Sequence, residues 1–402
     1  MKSGIFSYPS GRPDSGRPLS ANNRRTGGRF SKPLFFGLLL AVAACRGPEY
    51  VLPAESEQQG QAVVSEVLGF YLLNEGNMGT NKATLDYYDF AAATYTRNIY
   101  SQANPEMAQS LGDVGNDLRI YGSKMYAVIN CSNFVEVMDA VTARHLGTLE
   151  VPNCRHLDFC DGYGYLTSYA GPVVVDATQA QIGYVARFDT ATLRVLDTVH
   201  VGFQPDELAV VGRKLYVANS GGYMVPNYEN TVSVIDLDEW ALVASIPVAC
   251  NLQRVCADAY GQLWVSSRGD YYGQPSRLYC VDTKTDRVTD SVLTAVGSMW
   301  LDGDSLYVCA SAFSFETMNL ENSFSVVDVR THQLSALNLQ APSLERPYAI
   351  AVHPITKDIY LADAGNCVTP GTLYCFAPDG PLQWSVRTGD VPAHVAFLLT
   401  FK

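Results

Sequence analysis

The sequence is poor in basic residues and in the short motifs of catalysis. Lys and Arg number 28 against 40 Asp and Glu, which gives a formal net charge of −12. Phosphate binding needs a basic face, so this balance excludes a nucleic-acid partner. The chain also lacks a nucleophile elbow, a phosphate-cradling glycine loop and a His-Glu-x-x-His zinc motif. Nothing in it therefore favours a hydrolase or a kinase.

Long apolar runs and paired cysteine motifs are scarce as well. Beyond Val63 no apolar run is long enough to span a bilayer. No Cys-x-x-Cys is present, which argues against a zinc knuckle or a thioredoxin-type site. Nine cysteines follow Cys45, an odd number, so at least one is unpaired. Cys367 and Cys375 flank a Pro-Gly turn where a cross-strand disulfide is conceivable, and most of the others are expected to be small buried residues on strands.

What the chain does have at its N-terminus is an export signal. Basic residues at 24, 25, 29 and 32 precede an apolar run over residues 34–44, which ends in Val-Ala-Ala before Cys45. A basic flank, a run of about a dozen apolar residues and small residues before the cut are typical of a secretory signal. The cysteine makes it a lipobox, which predicts diacylation of Cys45 and anchoring in a membrane. We expect an N-terminal extension and signal peptide over 1–44, a lipidated cysteine and flexible tether over 45–66, and one domain over 67–402.

That domain is a repeat of about 40 to 50 residues, the period of four-stranded propeller blades. An apolar strand after a small or proline-containing turn recurs seven times, at 114–122, 154–162, 204–212, 252–260, 295–303, 346–354 and 391–399. The second strand of each unit carries an aromatic residue: Tyr71, Tyr126, Tyr165, Tyr216, Trp264, Tyr307 and Tyr360. A third strand closes on Asp in six units: Asp89, Asp139, Asp189, Asp236, Asp282 and Asp328. Because Asp at a strand end satisfies turn N–H groups, we interpret these aspartates as structural.

The two ends of the domain are complementary. The first unit has a second, third and fourth strand but no first, and residues 391–399 supply a first strand with nothing after it. The C-terminal strand is therefore expected to complete the N-terminal blade, which removes the exposed edges of an open array. The fold class predicted is an all-β, seven-bladed β-propeller.

The candidate ligand site is the channel mouth where the first strands begin. One aligned position holds Asp117, His156, Glu207, Arg254, Ser298, Ala349 and His394, and its neighbour holds Asn116, Arg155, Asp206, Gln253, Gly297, Tyr348 and Ala393. Unlike residues at equivalent positions suit an asymmetric small molecule, whose hydrogen-bonding groups each need a partner. The alternative is that a wet channel mouth tolerates any polar residue.

Loops on the same face add further candidates. The residues selected there are Asn74, Glu75, Tyr169, Asn219, Tyr223, Arg268, Tyr271, Tyr272, Phe313, Phe315 and Asp363. Exposed aromatics on one rim offer large, rigid contact areas for a planar or sugar-like ligand. Packing between neighbouring loops is the other explanation.

The stretch Leu72-Leu73-Asn74-Glu75-Gly76-Asn77-Met78-Gly79-Thr80-Asn81, leading into Leu85-Asp86-Tyr87-Tyr88-Asp89, resembles the opening blade of the YncE-like propeller lipoproteins of gut Bacteroidetes. Among these the chain looks most like the BtuG-type surface lipoproteins. The resemblance implies capture of cobalamin (vitamin B12) as a transported ligand, not a cofactor. It also implies delivery to a TonB-dependent transporter of the BtuB type, with the protein anchored in the outer membrane at the cell surface.

Two other functions stay open at this level. A propeller lactonase or lyase would hold a divalent metal with Asn116, Asp117, Asp206 and Glu207, and His394 could act as the base. Arg155 and Arg254 in the same rings would repel that cation, so neither a catalytic residue nor a metal ligand is predicted. A glycan-binding or scaffold propeller could use the rim tyrosines as sugar platforms.

Overall fold

The computed structural model describes residues 54–58, 66–173, 178–314 and 317–400. The predicted signal peptide, the lipidation site Cys45 and the candidate Phe315 lie outside these ranges. In the described part no helix is long and apolar enough to cross a membrane. All nine cysteines from Cys131 to Cys375 are unpaired there, so the disulfide considered between Cys367 and Cys375 is absent.

The described residues form short strands and one five-residue helix. In chain order the elements are β1 (Ser56–Gln58), β2 (Val67–Asn74), β3 (Thr84–Asp89), β4 (Thr94–Thr96), α1 (Ile99–Ala103), β5 (Gly115–Tyr121), β6 (Lys124–Ile129), β7 (Phe134–Asp139), β8 (His145–Glu150), β9 (Cys154–Cys160), β10 (Tyr163–Ser168), β11 (Ile182–Asp189), β12 (Arg194–Phe203), β13 (Pro205–Val211), β14 (Lys214–Asn219), β15 (Thr231–Asp236), β16 (Ala241–Pro247), β17 (Leu252–Ala257), β18 (Gln262–Ser267), β19 (Arg277–Asp282), β20 (Arg287–Val292), β21 (Ser298–Asp302), β22 (Ser305–Ser314), β23 (Asn319–Asp328), β24 (Leu334–Ala336), β25 (Pro347–Val352), β26 (Ile359–Asp363), β27 (Pro370–Phe376), β28 (Leu382–Asp390) and β29 (Pro392–Leu399).

These strands build seven antiparallel sheets, which confirms the predicted seven-bladed propeller. Blades 2 to 7 are the consecutive groups β5–β8, β9–β12, β13–β16, β17–β20, β21–β24 and β25–β28. Each of the seven predicted first strands is an innermost strand. The first strand of blade 6 begins later than expected, because residues 295–297 belong to the connection before β21.

Blade 1 closes the ring as predicted. Its sheet has the order β1-β4-β3-β2-β29, so the C-terminal strand pairs with β2, with Phe397 opposite Phe70 and Val395 opposite Leu72. Strand β1 adds a fifth strand at the outer edge, within the stretch for which the sequence predicts a tether. Arg97 holds that strand through ion pairs with Glu55 and Glu57.

The core lies between neighbouring blades, where the aromatic residue of each second strand is placed. Tyr71 is 1% exposed and its hydroxyl donates to the carbonyl of Ala140 in blade 2 at 3.0 Å. The Tyr216 hydroxyl likewise donates to Asp286 Oδ1 of blade 5 at 2.8 Å. The rings of Tyr71 and Tyr216 are therefore buried in the core, while each hydroxyl bonds to a neighbouring blade.

The aspartates that end the third strands are structural, as the sequence predicts. Asp139 Oδ1 accepts from the backbone N–H and the hydroxyl of Thr142 at 2.9 and 2.8 Å. Asp189 makes the same pair of bonds with Thr192. Each such turn connects a third strand to the outermost strand of its blade.

Candidate functional site

A recurrent β-bulge forms the channel mouth. In blades 3, 4 and 5, two consecutive residues of the innermost strand lie opposite a single residue of the neighbouring strand. The residue pairs are Arg155 and His156, Asp206 and Glu207, and Gln253 and Arg254. A bulge re-aims side chains that regular pleating would send to opposite faces. This is why both aligned positions, and not one of them, present side chains at the mouth.

The residue before the bulge often has left-handed backbone. Val114 and Val391, which precede β5 and β29, have φ of 59° and 56°. β-branched residues rarely adopt this conformation, so these two positions are strained. The strain accompanies the turn that directs each innermost strand into the channel.

His156 lies between two carboxylates at the centre of the mouth. Its Nε2 is 3.2 Å from Asp206 Oδ1 and its Nδ1 is 3.7 Å from Asp117 Oδ2. Burial opposes the charged imidazole, but the two carboxylates outweigh it and raise the pKa of His156. The pKa of Asp206 is held well below its usual range although burial opposes this, because His156 and Arg155 face it.

Several mouth residues connect neighbouring blades. Asp117 Oδ2 accepts from the N–H of Leu157 at 2.9 Å, and Glu207 Oε2 accepts from the N–H of Val255 at 2.7 Å. The Ser298 hydroxyl accepts from the N–H of Ile350 at 3.3 Å. Part of the variety along the first aligned position is therefore structural, since these side chains satisfy backbone groups of the next blade.

The two arginines predicted at the channel mouth, Arg155 and Arg254, both contact neighbouring protein groups. Arg254 donates from Nη1 to Glu207 Oε1 at 2.7 Å and from Nε to the Gly297 carbonyl at 3.0 Å. Arg155 lies over the ring of Tyr169, 4.7 Å from its centroid. Asn116 donates to the Arg155 carbonyl at 3.1 Å.

A second group crosses the junction of blades 7 and 1. Glu75 Oε2 accepts from the Tyr348 hydroxyl at 3.0 Å, and Glu75 Oε1 lies 3.2 Å from His394 Nε2. The ring centroids of His394 and His156 are 6.4 Å apart, so this group borders the first one. Glu75 raises the pKa of Tyr348, and burial adds to the effect.

Three predicted site residues make hydrogen bonds within and between the strands and turns of the blades. Asn219 is fully buried, accepts from the N–H of Gly202 and donates to Thr231 and Ser233. Asn74 is equally buried and donates to the Thr84 hydroxyl. Asp363 accepts from the backbone N–H groups of Glu345, Arg346 and Gly365.

A cleft with a volume of about 880 Å³ lies between blades 5 and 6 at this face. Gln253 and Gly297 of the second aligned position line it, together with Arg268, Tyr271 and Tyr272 from the loop between β18 and β19. Tyr271 and Tyr272 are 53% and 79% exposed. Tyr223, 41% exposed, lies on the loop after β14. Phe313 lies on β22, and its side chain is outside the described ones.

Sequence reasoning missed the far wall of this cleft. Residues 293–296 of the connection between β20 and β21, and the end of β22, from Ala310 to Ala312, supply that wall. Ser311 belongs to it, and its hydroxyl is buried without a hydrogen-bond partner. No sequence pattern marks these small and apolar residues, because the cleft exists only where two blades face each other.

No metal centre is formed by the described residues. Among them, no three side chains of the His, Cys, Asp and Glu types are grouped so that they could hold a metal ion. The carboxylates of Asp206 and Glu207 instead lie against Arg155 and Arg254 at 3.5 and 2.7 Å.

Comparison with known proteins identifies the family. Residues 68–366, well over half of the chain, match the model described as Domain of unknown function (DUF5074). The chain belongs to this family. The DUF5074 description names no ligand, and no curated protein matches the sequence.

Solved structures share the propeller fold at low identity. Hydrazine synthase of Kuenenia stuttgartiensis is 15% identical, with a TM-score of 0.55 over 66% of this chain and 77% of that chain. A quinonprotein alcohol dehydrogenase-like protein of Bacteroides thetaiotaomicron VPI-5482 is 13% identical, with a TM-score of 0.53 over 83% of this chain and 78% of that chain. At such identities the likeness shows the fold alone, and no catalytic activity follows from it.

Proposed function

We propose that this DUF5074 protein binds a bulky organic ligand in the cleft between blades 5 and 6, next to the channel mouth. The observation that carries the proposal is the cleft itself, about 880 Å³ in volume, with two exposed tyrosines on one wall. This volume falls in the range of small-molecule sites, which are mostly apolar with a few placed polar groups. Here the polar groups include Gln253, Arg268 and Ser311.

The ligand we propose is cobalamin. Support comes from the resemblance of the opening blade, around Asn74 and Glu75, to lipoproteins of the BtuG type. Cobalamin also has a broad corrin face edged with amides, which suits aromatic side chains beside scattered donors and acceptors. In this proposal the protein is held in the outer membrane through Cys45 and passes the vitamin to a TonB-dependent transporter of the BtuB type.

The test is a titration of the full chain with cyanocobalamin, followed by calorimetry and by absorbance. We expect saturable binding at one site; nanomolar affinity would correspond to about −12 kcal/mol. Absence of binding at micromolar protein overturns the cobalamin proposal. Binding of an oligosaccharide by the same protein would favour the glycan-binding alternative instead.

The anchor is tested separately. Replacing Cys45 by Ser is expected to move the protein from the membrane fraction to the soluble exported fraction, because the diacylated cysteine supplies the membrane affinity. Unchanged membrane association of Cys45→Ser would rule out lipidation as the anchor. Co-purification of the transporter with the wild-type chain, and not with a chain released from the membrane, tests the partner.

A further inference from the structure

The three arginines near the mouth differ in how their charge is balanced. Arg254 bonds to Glu207 at 2.7 Å, and Arg155 lies 3.5 Å from Asp206. Arg268 has no carboxylate within 4 Å among the described residues, and its guanidinium makes one hydrogen bond there, from Nε to Gln253 Oε1 at 2.8 Å. Both terminal nitrogens of Arg268 are therefore free to bind a group from outside.

The cleft around Arg268 contains no opposing acid. None of the described residues that line it is Asp or Glu, although the whole chain carries a net charge of −12. The nearby Asp270 directs Oδ1 to the backbone N–H groups of Tyr272, Gly273 and Gln274, which holds the loop in place. The cleft is thus a locally cationic site on an acidic protein.

A second unsatisfied donor lies on the opposite wall. The Ser311 hydroxyl is buried and has no partner within the described structure. A buried hydroxyl without a hydrogen bond costs free energy, and a ligand oxygen would satisfy it. Arg268 and Ser311 line the same cavity from two neighbouring blades.

We infer that the cleft selects ligands that carry an anionic oxygen group, a phosphodiester or a carboxylate, on a large apolar body, with Arg268 as the residue that binds the anion. The inference rests on the proposed function and narrows it. The planar guanidinium fork matches such groups through two parallel hydrogen bonds. In cobalamin this group would be the phosphodiester of the nucleotide side chain.

The experiment compares two probes on the wild type and three variants. Cyanocobalamin carries the phosphodiester, whereas dicyanocobinamide has the corrin ring without the phosphate or its base. We expect Arg268→Gln to weaken cyanocobalamin binding by about tenfold or more, as for a hydrogen bond to a charged group, and dicyanocobinamide binding by less than threefold. Arg194→Gln, which removes the same charge from an exposed position at the start of β12, is the matched control and should change neither.

The result that decides is the difference between the two probes in the loss of affinity caused by Arg268→Gln. A general preference of the protein for the nucleotide base is the same in the wild type and the variant, so it does not affect this difference. Equal weakening of both probes by Arg268→Gln, or no weakening, would overturn the inference while leaving ligand binding intact. If the folded wild-type protein binds neither probe, the proposed function itself fails. Arg268→Lys should retain part of the discrimination, because it keeps the charge but loses the fork.

Discussion

Arg254 donates from Nη1 to Glu207 Oε1 at 2.7 Å and thereby joins the innermost strands of blades 4 and 5. The two side chains are only 12% and 11% exposed. Both charges are shielded from water, so neither tolerates loss of its partner. The pair lies at the edge of the cleft, since the same guanidinium also bonds to the Gly297 carbonyl.

Arg254→Met is expected to lower the free energy of unfolding by about 3 kcal/mol, because the buried Glu207 carboxylate would lose its hydrogen-bonded cation. Chemical denaturation of the two proteins measures the difference. The exposed Arg213, which pairs with Asp161 and Asp238, is the control, and Arg213→Met should cost much less, because water screens exposed ion pairs. Similar losses of unfolding free energy at both positions would contradict the burial argument. Adding Glu207→Gln to Arg254→Met should recover part of the lost stability, because it removes the unpaired carboxylate.

The raised pKa of His156 predicts a pH dependence of stability. The folded-state pKa lies above the ordinary value of 6.5, so the charged imidazole contributes stability that is fully present below pH 6.5 and is lost as pH rises through the folded-state value. His156→Gln should flatten this decline in the free energy of unfolding above pH 6.5. His200→Gln, at an exposed residue of β12, should leave the decline as in the wild type. A decline that persists in His156→Gln would assign it to another group.

Replacing Tyr271 and Tyr272 together by Ala should weaken capture of cyanocobalamin by about tenfold or more, since exposed aromatics supply much of the contact area of such sites. The fold should survive, because both side chains are more than half exposed. Calorimetric titration measures the affinity and circular dichroism measures the fold. Unaltered affinity of the folded double variant would remove this loop from the site.

Ser311→Ala is expected to leave the stability of the unliganded protein unchanged or to raise it by up to about 1 kcal/mol, because it deletes a buried hydroxyl that has no partner. Thermal unfolding of the wild type and the variant provides the measurement. A clear loss of stability would mean that the hydroxyl bonds to a native group. The matched comparison is Ser298→Ala, which should be destabilising because that hydroxyl accepts from the N–H of Ile350.

Much of the fold could be predicted from residue patterns. The recurring tyrosine or tryptophan of the second strand, and the aspartate that ends the third, are local requirements repeated in each blade. Their spacing was enough to count seven blades and to name the closing strand. The candidate site was harder to predict from the sequence. Asn74, Asn219 and Asp363 are polar residues on the predicted face, and in the structure their side chains hydrogen-bond to turns and strands.

The sequence by itself therefore determined the number of blades, the closure by residues 392–399 and the structural role of the turn aspartates, because each depends on contacts close in sequence or on one repeated strand. Only the tertiary structure decided which mouth residues remain free for a ligand. Arg254 and Arg268 are chemically identical in the sequence, yet Glu207 pairs with the first and no described carboxylate lies within 4 Å of the second. That difference arises from which blades lie side by side, and the cleft lined by Arg268 and Ser311 exists for the same reason.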